Sequence, residues 1–143
     1  MSAINASRRD CAALPAIAVD AAHLGRLVRL GEAALDRQPD VADALLRELE
    51  RATVIESAVF PPDVANIGSW VAYRDRENGQ ERIVQLVYPE DADISRGRIS
   101  VLTPIGAALL GLSPGQTMRW ETRNGAARDL EVTAVFQDEP GSR

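Results

Sequence analysis

The sequence predicts an α+β protein, an N-terminal antiparallel helical hairpin followed by a curved antiparallel sheet that carries one short helix. Three observations predict it. Apolar residues recur at helical spacing between Asp20 and Arg51, interrupted at Arg37-Gln38-Pro39. Two Asn-Gly pairs, at 78–79 and 124–125, each separate runs rich in β-branched and alternating apolar residues. Residues 99–115 read as the end of a strand, a helix marked at both ends, and a tight turn.

The first helix follows from Leu24, Leu27, Val28, Leu30, Ala34 and Leu35, with Arg26, Arg29, Glu32 and Arg37 on other faces. Gly25 and Gly31 weaken it by about 1 kcal/mol each relative to alanine. Pro39 stops it. Asp40 is then expected to cap a second helix, with Asp43 at the third helical position in a capping-box-like arrangement. Val41, Ala42, Leu45, Leu46 and Leu49 supply its apolar stripe. At 1.5 Å per residue each helix would span only ~20–24 Å.

The rest of the chain reads as strands. Trp70–Arg74 and Arg82–Tyr88 flank Asn78-Gly79, whose two residues both tolerate positive φ. A polar, acidic loop, 89–96, leads to a strand at Arg98–Leu102. Thr103 is a natural N-cap, because its hydroxyl can accept from an orphan amide of the first turn. Pro104 suits the first helical position, where no N–H is needed. Gly111 and Gly115 permit the helix to stop and the chain to turn. Thr117–Thr122 and Asp129–Phe136 complete a β-β-β-α-β-β order, and Leu130, Val132, Ala134 and Phe136 are expected on one face. The expected organisation is a flexible tail at 1–17, the hairpin at 18–52, a linker at 53–60, the sheet unit at 61–137 and a tail at 138–143.

Composition narrows the function classes. The 143 residues are 45% hydrophobic and 26% charged, within the globular range. All 16 basic residues are arginine, and the formal net charge is −5. An acidic chain without a basic block is a poor candidate for wrapping nucleic acid, which needs cations to neutralise phosphates. One cysteine, Cys11, cannot form an internal disulfide. Arg8, Arg9 and Asp10 break any apolar leader, and no apolar run approaches the ~20 residues of a membrane span. A cytoplasmic location is expected. One His and one Cys support neither a zinc site nor a Cys–His nucleophile pair. Without lysine there is no phosphate-binding G-x-x-x-x-G-K. Glu90-Asp91-Ala92-Asp93 lacks the ligand spacing of an EF-hand and reads as a solvated loop. No cofactor and no metal are expected.

Several stretches together carry a family resemblance. Gly68-Ser69-Trp70-Val71, Glu77-Asn78-Gly79, Gly97-Arg98-Ile99-Ser100 and Thr103-Pro104-Ile105-Gly106-Ala107-Ala108-Leu109-Leu110-Gly111 resemble the C-terminal domain of bacterial Gre-type transcript-cleavage factors. Gly115, Thr122 and Gly125 continue the pattern. Ala42-Asp43-Ala44-Leu45, Glu48-Leu49-Glu50-Arg51-Ala52 and Leu86-Val87-Tyr88-Pro89 resemble the Rnk branch of that superfamily, regulators of nucleoside diphosphate kinase. The resemblance implies an FKBP-like C-terminal domain and an N-terminal antiparallel coiled coil. In Gre factors the globular domain docks beside the secondary channel of RNA polymerase, and acidic residues at the coiled-coil tip hold a metal ion for cleavage. Rnk proteins resemble this with a shorter hairpin.

Two groups of residues follow as site candidates. Leu102, Thr103 and Pro104 match Gre positions that touch polymerase, so with Ala107 they form the implied docking surface; capping chemistry accounts for Thr103 and Pro104 equally well. Asp36, Asp40 and Asp43 lie around the hairpin tip. They fit metal delivery, since Mg²⁺ takes one or two carboxylates, or simple stabilisation of the second helix, with a non-catalytic contact of Asp43 inside the channel mouth as a third reading that the resemblance leaves open. The short hairpin favours the second. The expected function is a non-enzymatic, monomeric regulator that binds RNA polymerase and competes with Gre-type factors without stimulating cleavage. A peptidyl-prolyl isomerase, suggested by the implied fold, is the enzyme alternative, although few aromatics are available to line its pocket. An oligomerising adaptor built on Leu45, Leu46 and Leu49 is the third.

Overall fold

The computed structural model describes residues 15–121 and 127–139. Expectations for residues 1–14, for the Asn124-Gly125 turn and for residues 140–143 lie outside the described residues.

Two short strands frame the hairpin. β1 (Ala18–Asp20) leads into α1 (Ala21–Ala34), and α2 (Pro39–Arg51) leads out into β2 (Thr53–Ile55). β1 and β2 pair in parallel, Ala18 opposite Thr53 and Asp20 opposite Ile55. The span read as a linker therefore contains a strand and a 3₁₀ turn at Ser57–Val59. Residues 15–17, read as the end of a loose tail, are also tied down. Ile17 is buried, the Arg51 guanidinium donates to the Pro15 carbonyl, and Gln116 donates to the Ala16 carbonyl. Three-residue strands are too short to show a period, which is why the pattern did not reveal them.

The caps of the hairpin also differ from expectation. Asp20 caps α1 through a 2.9 Å bond from the Ala22 N–H. Asp40 does not cap α2: the helix starts one residue earlier, at Pro39, with Gln38 as the cap residue. Proline is preorganised for the first helical position, so it opens α2 rather than preceding its cap. Asp43 instead pairs with Arg47, one turn on. Gly31 is buried where the two helices meet, and a Cβ there would lie 2.7 Å from Leu46 Cδ2. This glycine lets the helices approach.

The second unit is a five-stranded sheet of order β5-β4-β3-β7-β6, built from β3 (Trp70–Asp75), β4 (Glu81–Val87), β5 (Arg98–Ser100), β6 (Thr117–Glu121) and β7 (Ala127–Phe136). All neighbours are antiparallel except β4 and β5, which run parallel. The sheet is antiparallel as expected apart from this edge, where the 3₁₀ turns at Pro89–Asp91 and Ile94–Arg96 bring the chain back in the same direction. The β3–β4 connection is longer than a two-residue turn. Only Gly79 takes positive φ there, while Asn78 accepts from the Gln80 N–H.

A bulge changes the phase of β7. Ala72 faces Ala134 but Tyr73 faces Val132, leaving Thr133 as the extra residue. Leu130 and Val132 are buried; past the bulge Val135, not Ala134 or Phe136, packs against the core. The expected four-residue face is thus cut in half. α3 (Pro104–Leu109) packs on β6 and on α2, so one apolar cluster runs from Leu27, Leu45 and Leu49 of the hairpin to Leu86, Leu109 and Val132 of the sheet unit.

Candidate functional site

The start of α3 is built by a chain of local hydrogen bonds. Ser100 Oγ accepts from the Leu102 N–H at 2.9 Å, Thr103 Oγ1 donates to the Ser100 carbonyl at 2.8 Å, and the Gly106 N–H donates to Thr103 Oγ1 at 3.0 Å. Thr103 is the N-cap and Pro104 opens the helix, as their types require. Gly106 is imposed by space: a Cβ there would sit 2.1 Å from the Ser100 carbonyl oxygen and 2.9 Å from Val101 Cα.

Of the four docking candidates, two face outward in part. Thr103 and Pro104 are half-buried, whereas Leu102 and Ala107 are buried in the core. The latter pair support the helix start from beneath and offer no side-chain surface. Beside the helix lies a concavity of about 660 Å³ lined by Tyr73, Val84, Ile99, Ile105, Trp120 and Leu130, among others. Arg82, the Asp75–Arg128 ion pair and Ile94, which is 86% exposed, also line it. Ile105 joins this groove to the Thr103–Pro104 ridge. No local pattern revealed the groove, because six separate segments form it.

The hairpin-tip candidates do not converge. Asp36 lies in the turn between the helices, and Asp40 and Asp43 lie on the first turns of α2; all three are exposed. Among the described residues no group of three or more His, Cys, Asp or Glu is arranged to hold a metal ion.

The joint between the two units was not predicted. Asp20 is buried, and its carboxylate accepts from the Ala22 N–H, from Ser57 Oγ at 2.9 Å and from Asn66 Nδ2 at 3.0 Å. Burial raises its pKa, but these hydrogen bonds outweigh that and hold it below the ordinary carboxylate value. Next to it, His23 Nδ1 lies 2.9 Å from Tyr88 Oη. The Arg26 guanidinium sits 3.7 Å above the centre of the Tyr88 ring and pairs with Glu90. Burial pushes the Tyr88 phenol up and Arg26 partly offsets it. In the sequence these residues stand about 65 positions apart and carry no shared motif.

Comparison with known proteins places this arrangement. Residues 61–137 match the family model for the C-terminal part of the transcription elongation factors GreA and GreB, and residues 15–55 match the Rnk N-terminus. The chain therefore belongs to the GreA/GreB family, in its Rnk branch. It is 42% identical over 92 residues to the regulator of nucleoside diphosphate kinase of Escherichia coli K12, covering 64% of this chain and 68% of that protein. It is 36% identical over 77 residues to GreA of Thermosipho melanesiensis, covering 54% of this chain and 48% of that factor. A GreA/GreB factor structure from Nitrosomonas europaea superposes with a TM-score of 0.67 at 34% identity, over 85% of this chain and 98% of that one. The C-terminal unit has the FKBP-like fold of this family, and the chain is a Gre-like, transcription-related regulator whose reported relatives are regulators and factors.

Proposed function

We propose that this protein binds RNA polymerase near its secondary channel and competes there with Gre-type factors without stimulating transcript cleavage. The observation that carries this reading is the length of the hairpin. α1 and α2 have 14 and 13 residues, so each extends only ~20 Å. Docking falls to the half-buried ridge of Thr103 and Pro104 and the adjoining groove; blocking falls to the hairpin. The three tip carboxylates supply negative charge at its end, and Asp43 is already paired with Arg47.

The test is a competition on stalled elongation complexes. The protein is expected to suppress cleavage stimulated by a Gre factor in proportion to its concentration, and to produce no cleavage alone. Substituting Thr103→Ala together with Ile94→Asp should weaken polymerase binding about tenfold, the loss of one apolar anchor and one rim contact. Cleavage by the protein alone, abolished by Asp43→Ala, would overturn the reading.

A further inference from the structure

We propose that Tyr88 is a positioning residue, the keystone of a polar clasp that fixes the direction of the hairpin relative to the docking face. The inference rests on the polymerase-binding reading for its functional half only. The β1–β2 pairing and the Asp20 hydrogen bonds hold the base of the hairpin, and beyond that base the apolar packing of α2 on α3 gives its helices one line of support. A single line of helix contact resists sliding but leaves rotation about itself comparatively soft. The clasp supplies a second line, on the other helix. Near the start of α1, His23 meets the Tyr88 hydroxyl, and one turn later Arg26 covers the Tyr88 ring and reaches Glu90.

Tyr88 suits this role because a single side chain offers both a hydroxyl and a π face to the same helix. It is 4% exposed, so its ring is itself held by the body of the protein. Glu90 follows in the 3₁₀ turn at Pro89–Asp91, which makes the acidic loop the outer jaw. That loop needs no cation to explain its charge: Glu90 faces Arg26, and Asp93 accepts from the Ser95 N–H and hydroxyl. With both lines in place the hairpin tip has one position; with the clasp open it rocks about the α2–α3 contact.

The experiment uses the full chain with Cys11→Ser, spin labels at Ala33→Cys and Arg76→Cys, and electron–electron distance measurement. Both label positions are exposed. Adding Tyr88→Phe and Arg26→Gln is expected to broaden the distance distribution about twofold, as a second orientation becomes populated. Arg26→Lys in place of Arg26→Gln should narrow it again. The unlabelled double variant should bind polymerase within about twofold of the unaltered protein, yet block Gre-stimulated cleavage about fivefold less well, the effect of losing a bond of typical net strength. If Tyr88→Phe compromises folding, Arg26→Gln alone, at an exposed side chain, carries the measurement. An unchanged distribution overturns the clasp. A broadened distribution with unaltered blocking overturns its functional role. Failure of the unaltered protein to bind polymerase sinks the proposed function and leaves the distance measurement to judge the clasp alone.

Discussion

At the scale of single residues, the start of α3 separates two kinds of constraint. Thr103 contributes a hydrogen bond that another cap could replace, and Thr103→Ala should cost about 1 kcal/mol. Gly106 contributes empty space against backbone that cannot move aside, 2.1 Å from a carbonyl oxygen. Gly106→Ala should therefore cost more, about 2–3 kcal/mol, as an overpacking substitution does. Urea unfolding of the two variants checks the order; equal losses would mean that the helix shifts to make room. These residue types were legible in the sequence because capping and turn chemistry are local. Burial of Leu102 and Ala107 was not, since a contact position inherited from a resemblance carries no information on which way its side chain points.

At the scale of elements, the hairpin contains two glycines that the sequence treats alike and the structure does not. Gly25 is exposed, and a Cβ there would meet only the Arg29 side chain at 3.5 Å. Gly31 faces Leu46 across the helix pair at 2.7 Å. Gly25→Ala should stabilise the protein by about 0.5–1 kcal/mol through helix propensity. Gly31→Ala should lose that gain to displacement of Leu46, and thermal melting of both variants measures the difference. Helices and long strands were readable because periodicity repeats over many residues. The three-residue strands β1 and β2 repeat nothing, and the parallel β4–β5 pair and the bulge at Thr133 depend on partners remote in sequence.

For the whole molecule, the continuous apolar cluster from hairpin to sheet argues for one cooperative unit rather than two. Acid should expose the joint as its sensitive point. Asp20 has a depressed pKa in the fold, so its hydrogen-bonded anion contributes in full above its ordinary value of 3.8. That contribution is lost as pH falls through the depressed value, because protonation removes the charge and turns one accepting oxygen into a donor. Asp75 behaves likewise: burial raises its pKa, and the Glu77 N–H and the Arg128 guanidinium more than offset this. Denaturant midpoints should fall in a single transition as pH drops below that range. Asp20→Asn should be less stable near neutrality and less dependent on acid, so that the two curves converge at low pH; parallel curves would remove Asp20 from the account. None of this was legible beforehand, since Asp20, Ser57 and Asn66 meet only after folding.

The parallel pairing of β1 with β2 has an evolutionary corollary. It zips the segment before the hairpin to the segment after it, so the two helices leave the body and return to it at one place. Additional helical turns inserted at the tip would change neither the zipper nor the sheet register. Within such a framework, reach becomes a quantity that descent can lengthen or trim by whole turns, with the docking body unaltered.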